Sequence, residues 1–320
     1  MSAAEILGIH HVTALARDPR ANVDFYARVL GLRLVKKTVN FDDPGTYHLY
    51  YGDDLGRPGT IMTFFPWPGA ALGRRGAGQA TVTAFRVPAG ALGYWSDRLK
   101  ELGVEENGVS TRFGHEVLAF RDPDGLLLEL VADDAGRGFE PWRDSPVPPE
   151  HGIRGFYGVT LTEAAHEATV AFLEQVMGFE PAGEEQARLR FVVGAGDRTA
   201  ALEVVRSPGE RPGLISAGTV HHVAWRVAGD EEQEDWRGWL SARGTPVTQV
   251  LDRNYFRSVY FHEPGGVLFE IATDPPGFTV DEPPEALGRD LKLPAWLEPR
   301  RAVIEEILPP LEPAVETSGD

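Results

Sequence analysis

The sequence predicts an α+β protein made of four consecutive βαβββ units. The first observation is an internal repeat, in which "FRDPDGLLLEL" at residues 120–130 aligns with "FHEPGGVLFEI" at residues 261–271. The second is a further repeat, in which "HHVT" at residues 10–13 aligns with "YGVT" at residues 157–160. The third is that every aligned segment shows the same order of hydrophobic patterns, an opening strand followed by an amphipathic helix and more strands.

Each unit opens with a strand. Unit 1 spans about 6–70 and resembles unit 3 at about 153–210, whereas unit 2 at about 78–135 resembles unit 4 at about 217–275. The opening segments are "HHVTALA", "TVTAFRV", "FYGVTLT" and "HHVAWRV". Short runs of this kind, rich in apolar and β-branched residues, are typical of strands that are buried on one or both faces.

An amphipathic helix is predicted after each opening strand. In unit 1, "PRANVDFYARVLG" places Val23, Tyr26 and Leu30 on one face, and unit 4 has "DEEQEDWRGWLSARG". A glycine stands where a helix C-terminal cap is expected in all four units, at Gly31, Gly103, Gly178 and Gly244. Strand-like segments such as "TYHLYYGDD" and "GTIMTFFPW" complete the βαβββ order.

The repeats also predict the domain organisation. Residues 1–139 hold units 1 and 2, and residues 153–275 hold units 3 and 4. Between them, "EPWRDSPVPPEHG" at 140–152 is rich in proline and is interpreted as a linker. Residues 276–320 form a proline-rich C-terminal tail, with one short helix expected near "RRAVIEEIL".

The composition favours a cytoplasmic protein that acts on a small molecule. Of 320 residues, 42% are hydrophobic and 25% charged, and the longest apolar runs fall short of a membrane span. The net charge of −17 argues against nucleic acid as a partner. The chain has no cysteine, which excludes disulfides and thiolate metal ligands, and its first residues lack a secretory signal pattern.

Two of the opening strands carry adjacent histidines. The chain has nine histidines, and four of them form the pairs at 10–11 and 221–222, each followed by valine. The internal repeat offers a comparison, because matching positions share backbone geometry. His11 corresponds to Gly158 of unit 3, and His222 corresponds to Val82 of unit 2. Units 1 and 4 therefore carry imidazoles where units 2 and 3 carry small or apolar residues.

A carboxylate in unit 4 completes a set of potential metal ligands. Glu270 lies in "VLFEIA", where burial of a charge is costly unless a partner or a cation compensates it. Adjacent strand residues point to opposite faces, so one histidine of each pair is expected on a given side. Two imidazoles and one carboxylate make the facial triad that leaves positions open on iron(II). Glu129, the matching residue of unit 2, has no histidine partners and is expected to make a structural ion pair or hydrogen bond.

These motifs resemble those of the vicinal oxygen chelate superfamily, which includes glyoxalases and extradiol dioxygenases. The resemblance rests on the βαβββ units, "HHVT", "YHLYYGD…GRPGTIMTFFPW", "TVHHVAW" and "GGVLFEIATD", and it covers nearly the whole chain. Within the superfamily the chain is most similar to the ring-cleaving dioxygenases that open para-hydroquinones. Their fold consists of two cup-shaped mixed β-sheets, each built from two paired units.

The resemblance implies an extradiol-type dioxygenase that uses iron(II), occasionally manganese(II), with ligands at His11, His222 and Glu270. It implies that units 1 and 4 pair around the metal, and that units 2 and 3 form a metal-free cup. The substrates would be O2 and a hydroquinone- or catechol-like aromatic, which receives both oxygen atoms during aromatic compound degradation. Aromatic residues around "TFFPW" and "YYGD" could wall the pocket. No nucleic acid or membrane partner is expected, and a homo-oligomer is left open.

The same match indicates residues around the metal. His10, His221, Arg253 and Tyr260 are the catalytic candidates, and Thr13 is a candidate for substrate binding. A histidine can move protons at neutral pH, Arg253 can offset the charge of a phenolate, and Tyr260 can donate a hydrogen bond. Structural roles stay open for the histidines, which could orient strands, and for Arg253, which could be a surface residue.

Two other classes of function are weighed against the dioxygenase. A glyoxalase-type lyase or isomerase would need a fourth protein ligand, usually a carboxylate in the segment that here reads "TIMTFF", where Thr63 stands. A metal-free binding protein, such as one that sequesters an antibiotic, would not need two histidines and Glu270. The identity of the aromatic, the choice between iron and manganese, and the oligomeric state are not decided by the sequence.

Overall fold

A computed structural model describes residues 3–135, 138–196 and 199–311 of the chain. Unit 1 comprises β1 (Ile9–Ala16), α1 (Pro19–Val23), a π-helical segment (Asp24–Val29), β2 (Arg33–Asn40), β3 (Asp43–Gly52) and β4 (Ile61–Pro66). Unit 2 comprises β5 (Gln79–Val87), α2 (Leu92–Glu101), β6 (Glu106–Arg112), β7 (His115–Arg121) and β8 (Leu127–Ala132).

The second half repeats this order. Unit 3 comprises β9 (Phe156–Glu163), α3 (Glu167–Gln175), β10 (Glu180–Glu185), β11 (Arg188–Val193) and β12 (Ala200–Arg206). Unit 4 comprises β13 (Val220–Val227), α4 (Asp230–Ala242), β14 (Leu251–Asp252), β15 (Arg257–His262) and β16 (Leu268–Thr273). The tail has three short 3-10 segments (Phe278–Val280, Pro284–Ala286 and Glu298–Arg300) and α5 (Arg301–Ile307). The predicted α+β class with four βαβββ units is confirmed.

The strands form two eight-stranded sheets that each combine distant parts of the chain. The first sheet has the order β14-β15-β16-β13-β1-β4-β3-β2, from units 4 and 1. The second sheet has the order β10-β11-β12-β9-β5-β8-β7-β6, from units 3 and 2. In the first sheet β1 pairs antiparallel with β13, whereas β1 with β4 and β13 with β16 are parallel. Both sheets are therefore mixed, as predicted.

The first sheet curls into a cup. Strands β2 and β14 stand at its opposite edges, yet Asp42, after β2, and Arg253, after β14, form an ion pair with 3.0 Å between Oδ2 and Nη1. A flat sheet of eight strands would hold its edges about 30 Å apart at roughly 4.8 Å per strand. The curl brings the edges together and encloses the space into which the inward side chains point.

The helices bury the apolar faces that the sequence predicts. In unit 1, Asp18 caps α1 by accepting hydrogen bonds from the backbone N–H groups of Arg20 and Ala21. The expected regular α-helix is instead wound as a π-helix from Asp24 onward. The π-helix ends at Val29, and Gly31 follows its C-terminal cap. The φ of Gly31 is +69°, which favours glycine, and a side chain at this position would collide with Ser145.

The C-terminal tail is anchored on the first sheet. Lys36 of β2 is fully buried, and its ammonium forms ion pairs with Asp281 at 2.5 Å and with Glu282. Because an unpaired buried ammonium is very costly, these carboxylates hold the tail against the sheet. Tyr47 of β3 adds a hydrogen bond by donating to the carbonyl oxygen of Pro309. Among the described residues, none of the helices combines the length and the apolar character that a membrane span requires.

Two buried carboxyl groups meet where the two sheets join. Glu163 ends β9 of the second sheet, and Glu263 lies in the turn between β15 and β16 of the first; both are 2% exposed. Glu263 accepts hydrogen bonds from Thr169 and from the backbone N–H groups of Gly265 and Val267, so protein donors engage both of its oxygens. Burial, together with the charge of Glu263, raises the pKa of Glu163 to about 8.

This pair predicts a pH dependence of stability. Folded Glu163 keeps its proton up to about pH 8, whereas the unfolded chain releases it near the ordinary pKa of 4.5. The folded state therefore binds more protons in this interval, and the free energy of unfolding falls as the pH rises through it. Glu163→Gln removes this dependence, so its melting temperature should gain roughly 2–4 °C on the unaltered protein between about pH 6 and about pH 9.

The matched control for this measurement is Glu174→Gln, at an exposed position of α3. Its melting temperature should follow that of the unaltered protein across the same pH range. Thermal unfolding followed by circular dichroism distinguishes the two variants. Parallel curves for all three proteins would show that Glu163 does not carry a raised pKa.

Candidate metal centre

Each histidine pair lies at a β-bulge between β1 and β13. Ile9 pairs with Trp225 and His11 with Ala224, which leaves His10 as an extra residue in β1. On the other strand, His222 pairs with Thr13 and Val220 with Ala14, which leaves His221 as an extra residue in β13. A bulge re-aims side chains that regular pairing would send to opposite faces.

The expectation that one histidine of each pair faces the site holds for the first pair, in which His11 lines the pocket and His10 does not, and is wrong for the second, in which both His221 and His222 line it. The Nδ1 atoms of His10 and His11 lie 2.9 Å apart, and those of His221 and His222 lie 2.8 Å apart. The two rings of each pair are therefore within hydrogen-bond distance of each other. The second sheet has irregularities at the matching places, around Thr81 and Tyr157, so the bulge belongs to the repeated unit and the histidines exploit it.

The side chains of His11, His222 and Glu270 converge. Nε2 of His11 lies 3.2 Å from Nε2 of His222, and Oε2 of Glu270 lies 3.3 Å and 3.0 Å from these two nitrogens. All three residues are buried, with at most 4% exposure. In the part of the chain that the structure describes, this is the group of potential ligands whose atoms all lie within 4.8 Å of one another.

His10 determines which nitrogen of His11 faces the centre. Nε2 of His10 lies 3.1 Å from the carbonyl oxygen of Thr273, which can only accept, so this nitrogen carries the proton. Burial, and then the proximity of His11, holds the pKa of His10 well below its usual value, so the ring is neutral and its Nδ1 accepts. We assign the matching proton to Nδ1 of His11, which leaves the Nε2 lone pair of His11 directed at the centre.

The second pair has the same arrangement. Burial, reinforced by His222, lowers the pKa of His221 to about 3, so its ring is also neutral. Its Nδ1 can accept a hydrogen bond from Nδ1–H of His222, which directs the Nε2 lone pair of His222 toward Glu270. Metal-bound histidines characteristically donate their second N–H in this way, which fixes the orientation of the ring.

The donor set fits a cation. Ser258 donates a hydrogen bond to Oε1 of Glu270, whereas Oε2 is buried without a hydrogen-bond partner among the described residues. Two nitrogen lone pairs and this oxygen therefore face one another at about 3 Å, an arrangement that repels unless positive charge lies between them. Burial alone would raise the pKa of Glu270, whereas positive charge on protonated His11 and His222 would hold it well below its usual range, and a cation bound in place of those protons would do the same. The residues present thus suit a divalent metal ion.

A pocket of about 340 Å³ opens onto two of the three ligands, His11 and His222. Its walls combine aromatic rings with a few polar groups. The lining residues are His11, Asn40, Phe41, Asp42, His48, Tyr50, Phe65, Trp67, His221, His222, Arg253, Phe256, Tyr260 and Leu268. Pockets of this size, mostly apolar and with few convergent polar groups, are typical small-molecule sites.

Three of the sequence-predicted residues around the metal line this pocket: His221, Arg253 and Tyr260. Nε of Arg253 lies 3.3 Å from the hydroxyl of Tyr260, and the ring of Tyr260 packs edge-on against His222. Burial and the nearby Glu270 charge raise the pKa of Tyr260, so its hydroxyl stays protonated and can donate.

Two sequence-predicted residues lie outside the pocket. His10 stands behind His11, with both ring nitrogens occupied by protein atoms. Thr13 is fully buried, and its hydroxyl lies 3.3 Å from that of Thr63. Both residues therefore support the site from behind its wall.

His48 lines the pocket, although the sequence indicated no role for it. Its Nε2 lies 2.6 Å from the hydroxyl of Thr63, and its Nδ1 lies 2.8 Å from the hydroxyl of Tyr50. Residues 48 and 50 alternate on β3 and so share the inner face, which is a signal that the sequence contained. Phe256, which packs against both His10 and His11, lies between β14 and β15 and was not among the residues that the sequence indicated.

The second sheet holds an ion-pair network at the matching place. Arg112 forms ion pairs with Glu129, the counterpart of Glu270, and with Glu203, which also pairs with Arg190 and Arg188. The expectation that Glu129 makes a structural ion pair is confirmed. At Gly158, the counterpart of His11, a side chain would collide with the carbonyl oxygen of Ala201.

The chain is similar in sequence to a known superfamily and to several of its members. The family model of the Glyoxalase/Bleomycin resistance protein/Dioxygenase superfamily matches residues 8–130 and 159–279. MhqO of Bacillus subtilis (strain 168), whose name assigns it provisionally to the ring-cleaving dioxygenases, is 48% identical over 97% of this chain and 98% of its own. The chlorohydroquinone/hydroquinone 1,2-dioxygenase of Sphingobium indicum is 38% identical over 91% of this chain and 92% of its own.

Solved structures show the same fold. A crystal structure described provisionally as a dioxygenase, from Bacillus subtilis, superposes with a TM-score of 0.93 at 48% identity, covering 97% of this chain and 99% of that one. Glyoxalase I from Zea mays superposes with a TM-score of 0.60 at 17% identity, covering 83% of this chain and 92% of that one. The second likeness concerns the fold alone.

The hydrogen bond from His11 to His10 leads to a prediction. His10→Phe removes the acceptor for Nδ1–H of His11, so metal affinity should fall about 10–100-fold, the usual cost of losing such a partner. His10→Gln keeps an amide oxygen that can accept, and its loss should be smaller. The measurement is the dissociation constant for iron(II) or manganese(II) under anaerobic conditions. Equal affinities for both variants and the unaltered protein would contradict this role of His10.

Proposed function

The chain belongs to the Glyoxalase/Bleomycin resistance protein/Dioxygenase superfamily, and from this premise we propose that it is a metal-dependent ring-cleaving dioxygenase. Its substrates are O2 and an aromatic ring of the hydroquinone or catechol type. Relatives that span nearly the whole chain bear the names of ring-cleaving dioxygenases, and one is named for chlorohydroquinone and hydroquinone. These names support the reaction class.

The observation that carries the proposal is the meeting of His11, His222 and Glu270 at one side of an aromatic-walled pocket. Three protein ligands leave the remaining positions of a metal ion free for substrates, which is the arrangement of non-heme iron(II) oxygenases. Iron(II) is the proposed metal and manganese(II) the alternative. When bound, the metal would supply Lewis acidity toward a phenolic hydroxyl and redox chemistry with dioxygen.

The protein's own residues bind and orient the ring. Phe41, Phe65, Trp67 and Phe256 border the pocket and offer apolar contact to an aromatic substrate. The guanidinium of Arg253 reaches the same space, where it can offset the negative charge of a phenolate. Binding the ionised form in this way favours loss of the phenol proton before the ring reacts.

Proton transfer falls to groups that face the pocket. The hydroxyl of Tyr260 can donate a hydrogen bond to an oxygen of the substrate, since burial keeps this hydroxyl protonated. His221 borders the pocket and is neutral; because its Nδ1 accepts the hydrogen bond from His222, its Nε2 carries the ring proton and can donate a hydrogen bond. We assign His10 a positioning role instead, because both of its nitrogens are committed to protein atoms.

A glyoxalase-type reaction is less well supported. The position where a fourth carboxylate ligand would stand holds Thr63, whose hydroxyl is engaged by His48 and lies beside Thr13. A metal-free binding role would leave the buried Oε2 of Glu270 and two lone pairs facing one another without compensation.

The proposal predicts that removal of one ligand abolishes both metal binding and activity. His222→Gln should bind iron(II) more than about 100-fold more weakly, beyond the loss typical of outer partners. Oxygen uptake with a hydroquinone should fall with it. His166→Gln, at a histidine outside the pocket, is the matched control and should retain both. Metal content after anaerobic reconstitution, followed by oxygen uptake, measures the two effects.

A substrate panel distinguishes the reaction classes. The reconstituted protein is assayed with hydroquinones, catechols and methylglyoxal–thiol adducts. Oxygen consumption in equal proportion to ring opening of an aromatic is the expected result. Conversion of the thiol adduct without oxygen uptake would instead indicate the glyoxalase-type reaction, and a fully active His222→Gln variant would refute the metal site.

A further inference from the structure

A second cavity of about 190 Å³ lies beside the pocket that opens onto His11 and His222. We call it the side cavity and the larger one the aromatic pocket. The side cavity is lined by Gly78, Gln79, Ala80, Ile215, Val220, His221, His262, Gly266, Val267 and Leu268. Its walls thus come from the start of β5, from the loop before β13 and from the turn between β15 and β16.

The two cavities share a wall. His221 and Leu268 line both of them, and they are the residues common to the two sets. His221 is bonded through Nδ1 to His222, and Leu268 lies two residues before Glu270 on β16. The side cavity is therefore separated from the ligand set by residues that adjoin His222 and Glu270.

The lining of the side cavity suits a small apolar molecule. Five of its residues have aliphatic side chains: Ala80, Ile215, Val220, Val267 and Leu268. No lysine, arginine, aspartate or glutamate lines it. The amide oxygen of Gln79 accepts a hydrogen bond from the backbone N–H of Gly76. The other polar groups of the lining are Nε2 of Gln79, which has no hydrogen-bond partner among the described residues, and the rings of His221 and His262. An apolar cavity of about 150 Å³ can hold xenon or benzene, so the volume is sufficient for a diatomic gas.

We propose that the side cavity is a dioxygen site that supplies the metal centre past Leu268 and His221. The inference rests on the proposed dioxygenase function. An aromatic ring bound in the 340 Å³ pocket would fill much of the space beside the ligand set, so a second approach would serve the other substrate. The side cavity provides such an approach. At about 190 Å³ it is smaller than the aromatic pocket, and it offers an aromatic phenolate no charged partner.

The entrance of the side cavity is formed by a loop that is held in place. Ile215 is 46% exposed and lines the cavity, whereas its neighbour Leu214 is 55% exposed and does not. Backbone hydrogen bonds join this loop to the segment before β5, from Leu214 to Arg74 and from Gly213 to Ala77. Ile215 is therefore a fixed point at which the entrance can be narrowed without touching the aromatic pocket.

Xenon tests occupancy directly and independently of activity. Crystals of the unaltered protein pressurised with xenon should show a xenon atom between Ile215, Val220 and Val267. Ile215→Trp should remove that atom, and Leu214→Trp, the matched control, should retain it. A side cavity without xenon in the unaltered protein would refute the apolar gas site.

Kinetics test whether the site supplies the reaction. For Ile215→Trp the KM for O2 should rise at least about threefold, while the KM for the hydroquinone and kcat at saturating O2 stay unchanged. Leu214→Trp should leave all three constants unchanged, and Ile215→Ala should not raise the KM for O2. An active Ile215→Trp enzyme with an unaltered KM for O2 would refute the dioxygen site but would leave the proposed dioxygenase function intact. Failure of the unaltered, metal-loaded protein to consume O2 with any aromatic would end the proposed function as well.

Discussion

The antiparallel pairing of β1 with β13 is the constraint on which the candidate site depends. These strands begin at Ile9 and Val220, yet their pairing places Nε2 of His11 3.2 Å from Nε2 of His222. The parallel neighbour of β13, β16, then delivers Glu270 to the same point. Pairing within each half of the chain would leave each half with one histidine pair and no complete set. The exchange of units between the two sheets thus creates the donor set, and the Lys36 ion pairs and the Asp42–Arg253 ion pair close the cup around it.

The two sheets show two ways to compensate the same buried carboxylate. Glu270 and Glu129 occupy matching strands, and both are buried. In the second sheet, the guanidinium of Arg112 reaches Glu129 and Glu203, so protein atoms supply the positive charge. In the first sheet, imidazole nitrogens surround Oε2 of Glu270, which has no hydrogen-bond donor among the described residues. A protein side chain supplies the compensating charge in the second sheet, and the proposed metal ion would supply it in the first.

The sequence predicted the fold because it contains four related units, in which strands, helices and glycine caps recur at matching places. It also indicated Glu270, because a carboxylate in a wholly apolar strand needs compensation. The bulges at His10 and His221 escaped prediction, since a bulge depends on the register of two strands that are distant in sequence. His48 and Phe256 escaped for a related reason, because the curl of the sheet decides which inward side chains reach one pocket. The role of His10 required the position of one carbonyl oxygen, that of Thr273.

The most direct measurement is an anomalous difference map at the iron edge, from crystals of the protein reconstituted anaerobically with iron(II). The account predicts one peak at about 2.0–2.2 Å from Nε2 of His11, Nε2 of His222 and a carboxylate oxygen of Glu270, with its other positions facing the aromatic pocket. A peak elsewhere in the molecule, or one enclosed by a fourth protein ligand, would contradict it.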